Sequence, residues 1–536
     1  MCVLILSRYA LITLLTDDEL GLKRPFGVHK IVEKLSIAVL ERLQIGTQKS
    51  CLIFPSASPT ARCAQFIQKH HGLDIETEVV AFYLPETADT GNMQWARFYV
   101  LIYHTDAQKS ADEFWSIFGD GISSRHAEFC LERWPFMRSE SPNRIFRSPA
   151  MVTDISLMAA FPWTNEDQNA KEEIKRRIAT MIASEQPGFP PVPTSDVFLY
   201  QKGMCALSAV ARAMIPSDNQ TSGAAVYGWP YSETPKCVRQ SGYDRFTMYG
   251  QGSESELDQL ESSLASGERI QVLFCEIPSN PLLRTPDLRR IRDLADRYEF
   301  CVVCDETIGT YINVDILPYV DVAVTSLTKI FNGTGNVMGG SVVINPRSAH
   351  RAAIHDRLTA GYEDILFTAD AIILAQNSRD LKERVLKCNA NALDLANFLA
   401  KCPSIDSVYY PTMVPTTRFY EQFRRPTGGY GYLLSVLFKD PDTAVQFYNT
   451  LDVRKGPNIG TNFTLVLPYA QLAHYYDCEW AESYGVAKHI VRISVGLESQ
   501  ADLVDRITQA LSKVEGHAKP VLGEVQRSKD SLCLDH

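Results

Sequence analysis

From residue 271 onward, apolar runs and polar breaks follow one another in the rhythm of short strands and helices. Gln271 to Cys275 is an apolar run closed by the turn Pro278-Ser279-Asn280-Pro281. Thr285 then reads as the cap of a helix with Pro286 at its first position, and Leu288, Ile291, Leu294 and Tyr298 fall on one face of it. Phe300 to Cys304 is the next apolar run, followed by Val320 to Val324 and Ser341 to Ile344. Strand, crossover helix and strand predict a parallel sheet, with ligands expected at the carboxyl ends of its strands.

Elsewhere the pattern is looser. Residues 169 to 184 predict an amphipathic helix with Ile174, Ile178, Met181 and Ile182 on one side, and Gln186 to Pro193 is a linker-like break before the run Val197 to Tyr200. Ala349 to Ala400 reads as helical. Strand Leu433 to Phe438, helix Pro441 to Leu451, strand Ile490 to Ser494 and helix Gln500 to Lys513 follow. Near the amino terminus, Cys51 to Pro55 and Phe98 to Tyr103 read as strands, and Ala111 to Phe118 and Arg125 to Arg133 as helices. The chain thus divides into an extension of illegible role (1–150), a large α/β domain (151–345), a smaller helical and α+β domain (346–520) and a disordered tail (521–536).

Composition narrows the class without naming the chemistry. A chain of 536 residues exceeds one ordinary domain, and its net charge of −10 argues against a non-specific nucleic-acid binder. The thirteen cysteines follow no framework spacing, and Cys205, Cys275, Cys301 and Cys304 all sit in apolar runs. Reduced thiols and a cytoplasmic protein are expected. The eleven histidines form no metal-ligand spacing, so no metal is expected. Met1 to Leu15 is apolar but lacks a basic leading segment and is too short to span a bilayer.

Candidate chemistry centres on Lys329. It stands in Thr325-Ser326-Leu327-Thr328-Lys329, just after an apolar strand, with Gly333, Gly335, Gly339 and Gly340 behind it. A surface lysine in a glycine-rich turn would fit that run. So would a lysine forming a Schiff base with pyridoxal 5′-phosphate (PLP), with hydroxyls for the phosphate and glycines for close backbone approach. Asp305 ends the apolar run Cys301 to Cys304, where an acid could face a pyridine nitrogen or could simply cap a turn. Gly203 opens an Ala-rich helical stretch whose first amides could hold a phosphate.

The order of motifs adds more. Gly203-Met204, Tyr227-Gly228, Glu276-Ile277-Pro278-Ser279-Asn280-Pro281, Asp305, Ser326-Leu327-Thr328-Lys329 and Arg492-Ile493-Ser494-Val495-Gly496 resemble the Cys/Met-metabolism PLP enzymes. These are the cystathionine γ-synthase and lyase group. Asn377-Ser378-Arg379-Asp380, Gly428-Gly429-Tyr430-Gly431 and Gly460-Thr461-Asn462-Phe463 are similar to its fungal γ-synthase-like branch, and the likeness covers roughly 195 to 515.

The resemblance implies a fold type I PLP-dependent transferase: an α/β large domain with a mostly parallel seven-stranded sheet and a smaller α+β domain. It implies that Lys329 carries the cofactor and moves protons, Asp305 pairs with the ring nitrogen and Tyr227 stacks on the ring. Gly203, Met204, Ser326 and Thr328 would hold the phosphate. Asn280 would reach the ring oxygen or the substrate, and Arg492 would grip the substrate carboxylate. Asn458-Ile459-Gly460 stands where relatives have Ser-Leu-Gly near that carboxylate, and Glu306 follows Asp305 where many carry Asn. Relatives also bring an arginine to a neighbouring subunit's phosphate, but the matching place, Phe161-Pro162-Trp163-Thr164-Asn165, has none. Either that clamp is missing or Lys202 or Arg212 substitutes.

The implied reaction is γ-replacement on an O-acyl-L-homoserine: γ-elimination to a vinylglycine-type intermediate, then addition of a nucleophile. That nucleophile is cysteine in the standard pathway and another in fungal secondary metabolism. Lyase-type elimination and a non-catalytic scaffold are the alternatives. A homodimer or homotetramer is implied, since the family's site lies at a subunit interface; nucleic-acid and membrane partners are not expected.

Overall fold

The computed structural model describes residues 28–71, 75–85, 96–141, 169–216 and 221–515. The expectations for Met1 to Leu15, for Phe161 to Asn165 and for the tail lie outside these residues. Among the described residues no helix is long and apolar enough to cross a membrane.

The amino-terminal region forms an antiparallel sheet of β1 (Lys49–Phe54), β2 (Thr77–Tyr83), β3 (Phe98–His104) and β4 (Arg138–Glu140), in the order β1-β3-β2-β4. β3 is buried on both faces, so it reads as a continuous apolar run. Its alternate residues serve two cores. Phe98, Val100 and Ile102 pack with Leu35 and Val39 of the helix Lys30–Arg42. Leu101 and Tyr103 join Phe54, Phe66 and Phe114 in a cluster that also contains Ala206, Val210 and Phe198 of the large domain. One hydrophobic core therefore runs through both regions.

The large sheet has seven strands: β5 (Val197–Tyr200), β6 (Gly223–Tyr227), β7 (Arg245–Tyr249), β8 (Val272–Glu276), β9 (Cys301–Asp305), β10 (Val322–Thr325) and β11 (Gly340–Ile344). Their order is β5-β11-β10-β9-β8-β6-β7. β10-β9-β8-β6-β7 are parallel, and β11 runs antiparallel to both β10 and β5. Helices Ala170–Ile182, Glu254–Ala265 and Leu288–Tyr298 cover one face, and Gly203–Ala213, Glu233–Gln240 and Arg351–Gly361 the other. The mostly parallel sheet and its crossover helices match the sequence pattern.

Boundaries moved for local reasons. Thr285 and Pro286 do not start the helix: Asp287 caps it, its carboxylate accepting from Arg290 N at 3.1 Å, and Leu288 is the first helical residue. β10 begins two residues later than its apolar run because Leu317–Tyr319 forms a 3₁₀ turn. The helical stretch from 349 is three helices: Arg351–Gly361, Thr368–Asn377 and Leu381–Leu399.

The carboxy-terminal sheet contains β12 (Ile405–Tyr409), β13 (Leu433–Phe438), β14 (Arg454–Lys455), β15 (Leu465–Pro468) and β16 (Val491–Ser494), ordered β12-β13-β16-β15-β14. Helices Leu381–Leu399, Pro441–Thr450 and Gln500–Glu515 contribute to its core.

Candidate active site

Three strand ends meet in one crevice. Glu276 pairs in register with Asp305, and Asp305 with Val324, so the carboxyl ends of β8, β9 and β10 lie side by side. Lys329 follows β10 in a turn held by Lys329 N to Ser326 O (3.2 Å) and Asn332 N to Leu327 O (3.1 Å). Arg384 pins the same turn from the side, donating Nη2 to Ile330 O (2.8 Å) and Phe331 O (2.9 Å). The Lys329 amine is held at about 8 by burial and by the charge of Arg492, with Asp305 acting in the opposite sense. Its Nζ donates to Asn458 Oδ1 at 2.7 Å.

Asp305 accepts the Thr307 amide at 2.9 Å. Burial raises its carboxyl above the usual range, while Thr307 and the Lys329 charge oppose that shift. Thr307 also receives Ser326 N on its Oγ1 at 2.8 Å, so one short side chain ties the β9 acid to the β10 turn. Sequence reading missed Thr307; its signal is the two-residue spacing that lets Asp305 close a turn on the Thr307 amide. Glu306, fully buried, accepts Thr325 Oγ1 at 2.7 Å, and burial pushes its carboxyl well up.

The helix Gly203–Ala213 starts against Ser326. Lys202 gives this helix no side-chain cap, which leaves its first turn open to an anion. A Cβ on Gly203 would stand 2.7 Å from Ser326 Cβ and 2.9 Å from its Oγ, so only glycine admits this approach. Gly203, Met204 and Ser326 therefore converge. The Thr328 hydroxyl donates to Gly339 O (3.3 Å) and accepts Gly339 N (3.2 Å), closing the turn.

Arg492, in the middle of β16, is 5% exposed. Its Nη1 donates to Asn280 Oδ1 (3.2 Å), its Nη2 to Pro457 O (2.6 Å), and its Cζ lies 5.1 Å from the Tyr469 ring centroid. Burial works against its charge; Tyr469, Tyr432, Tyr231 and Glu276 support it. Asn280 thus meets Arg492, which fits a substrate role better than a ring contact.

Tyr227 lines a cavity with Gly228, Glu276 and Ser279. It is 3% exposed, packs in the large core, and donates its hydroxyl to Ser253 O at 3.1 Å. A second tyrosine, Tyr231, lies four residues on. It is 38% exposed, its amide donates to Glu276 Oε2 at 2.8 Å, and the Arg492 charge acts on its hydroxyl. Tyr227 is the last residue of β6 and Tyr231 lies four residues beyond it, and the sequence holds no signal that assigns one of them to the ring.

These residues fit PLP. There is a buried amine of lowered basicity, an acid at a strand end, a glycine cradle facing a serine at a helix start, and a buried guanidinium for a carboxylate.

Residues 193–512 match the family described as Cys/Met metabolism PLP-dependent enzyme, and residues 31–123 match the fungal trans-sulfuration enzyme N-terminal domain. The chain is 50% identical over 491 residues to the cystathionine gamma-synthase-like protein ankD of Aspergillus thermomutatus, covering 91% of this chain and 87% of that one. It is 35% identical over 539 residues to a cystathionine gamma-synthase of Neurospora crassa, covering 87% of each. Among solved structures, cystathionine gamma synthase from Xanthomonas oryzae pv. oryzae, in complex with cystathionine, aligns with a TM-score of 0.55 at 20% identity. That alignment covers 67% of this chain and 91% of the other, and it supports the fold. The chain belongs to the Cys/Met-metabolism PLP-dependent enzymes, in their fungal cystathionine γ-synthase-like branch.

Proposed function

We propose that the protein catalyses γ-replacement on an O-acyl-L-homoserine, acting as a homodimer or homotetramer. The observation that carries this reading is the placement of Lys329 and Arg492 in one crevice, close enough for the guanidinium to lower the amine's basicity. When bound, PLP supplies the electron sink that stabilises negative charge at the substrate's α-carbon.

The chain's own groups do the rest. Arg492 takes the α-carboxylate in its planar fork, with Asn280 Oδ1 fixing the plane of the guanidinium. Asp305 would pair with the ring nitrogen of bound PLP. Lys329, on a flexible four-carbon stem and with its amine at about 8, would take the Cα proton, give it up to the carbon of bound PLP that carried the Schiff base, and so be free again to take a Cβ proton. With both protons moved, the γ-acyloxy group leaves as a carboxylate and a nucleophile adds at the γ-carbon. The likeness to a protein named cystathionine gamma-synthase and to one named cystathionine gamma-synthase-like supports that chemistry.

The test is purified protein with PLP, O-acetyl-L-homoserine and a panel of thiol and carbon nucleophiles, read by mass spectrometry. A γ-substituted 2-aminobutyrate is the expected product. Release of a 2-oxo acid and ammonia with every nucleophile would overturn the reading in favour of a lyase. Light scattering tests the oligomer.

A further inference from the structure

We propose that Asp120, in the amino-terminal region, is a positioning residue for the phosphate of the cofactor, acting through the turn Gln201–Cys205. The inference rests on the reading that the helix beginning at Gly203 receives that phosphate.

The helix Gln108–Phe118 ends at Gly119, whose φ of +69° is left-handed. The turn that follows lies directly on the Gln201–Cys205 turn. A Cβ on Gly119 would stand 3.1 Å from Met204 Cβ and 3.2 Å from Cys205 N. Asp120 is fully buried, and three of its oxygens accept. Its carbonyl takes Gln201 Nε2 at 2.7 Å, Oδ1 takes the Cys205 thiol at 3.3 Å, and Oδ2 takes Arg62 Nη2 at 2.9 Å. Residues on both sides of Lys202-Gly203-Met204 are therefore fastened to one residue more than eighty positions earlier.

Charge points the same way. Arg62 pairs with Asp120, and the field of Asp120 also reaches Lys202 and Arg212. Lys202 Nζ lies 4.7 Å from the centroid of the Trp115 ring and has no ion-pair partner among the described residues. Asp120 thus holds one cation by a direct ion pair and acts on two more, Lys202 just before the helix and Arg212 in its last turn. With a shared hydrophobic core holding the two regions together, Asp120 sets where those charges and the Gly203 and Met204 amides stand.

The experiment compares PLP with pyridoxal, which lacks the phosphate. Apo wild type, Asp120→Asn, Gly119→Ala and Ser326→Ala are titrated with each, with dissociation constants read from fluorescence quenching and apo melting temperatures measured alongside. Wild type should prefer PLP. Asp120→Asn should lose about tenfold of that preference or more, the scale of a charge-assisted contact, entirely through PLP. Equal losses for PLP and pyridoxal, or none, would overturn the proposal. If Asp120→Asn does not fold, Gly119→Ala makes the same comparison by crowding Met204. Ser326→Ala tells the two readings apart. If it keeps the full preference, the phosphate site itself is misplaced; if it loses the preference while the Asp120 and Gly119 variants keep it, only the role of Asp120 fails.

Discussion

Lys329 and Asn458 are joined by one hydrogen bond, Nζ to Oδ1 at 2.7 Å, which links the large sheet's β10 turn to the carboxy-terminal domain. An acceptor at that distance favours the charged amine. Asn458→Leu should therefore move the pH midpoint for cofactor loading below that of wild type. Absorbance-detected loading rates across pH measure it, and an unchanged midpoint would show that Asn458 does not hold the amine.

Lys329→Ala should lose the visible band of the lysine-bound cofactor together with turnover. Asp305→Asn should keep the band, because the lysine remains, yet lose at least about a hundredfold in kcat, the scale of a preorganised electrostatic contact. Wild-type kinetics in Asp305→Asn would mean that the ring nitrogen pairs elsewhere.

Arg492→Lys should raise KM for the amino-acid substrate and lower kcat, because lysine keeps the charge but not the two-point grip. PLP affinity should stay near wild type. Loss of PLP with KM retained would place Arg492 on the cofactor instead.

The two tyrosines make opposite predictions. Tyr227→Phe removes a buried hydroxyl bonded to Ser253 O and should cost about 1 kcal/mol of stability with little change in turnover. Tyr231→Ala should leave the melting temperature nearly unchanged, because its side chain is part-exposed, while impairing kcat/KM. The reverse pattern would place the Tyr227 hydroxyl in the chemistry instead.

Burial of the Lys329 amine also sets a stability difference. Its folded pKa, about 8, lies below its ordinary 10.5, so below about pH 8 the folded chain bears the full cost of the buried charge. That cost fades as pH rises to 10.5. Apo Lys329→Met should be more stable than wild type at pH 7, with the advantage disappearing toward pH 10.5. Urea midpoints of both proteins give the difference directly, which matters because the buried thiols, pushed up by burial, drive absolute stability the other way.

What the sequence revealed follows from which signals are local. β8, β9 and β10 are buried on both faces, so they appear as apolar runs whose ends mark Asp305 and the turn of Lys329. Arg492 was legible because a cation inside an apolar strand demands a partner. The helices Lys30–Arg42 and Ala57–His71 were not, since each buries only a narrow stripe among polar residues. Tyr231 and Asp120 were beyond reach for a different reason. Their meaning depends on what stands opposite them, and for Asp120 that is a turn more than eighty residues away in the chain.

Pro457 and Asn458 are consecutive, so the acceptor of the Arg492 guanidinium and the acceptor of the Lys329 amine hang from a single peptide unit. Any shift of this segment is therefore felt at both contacts at once, by the guanidinium of β16 and by the amine of the β10 turn.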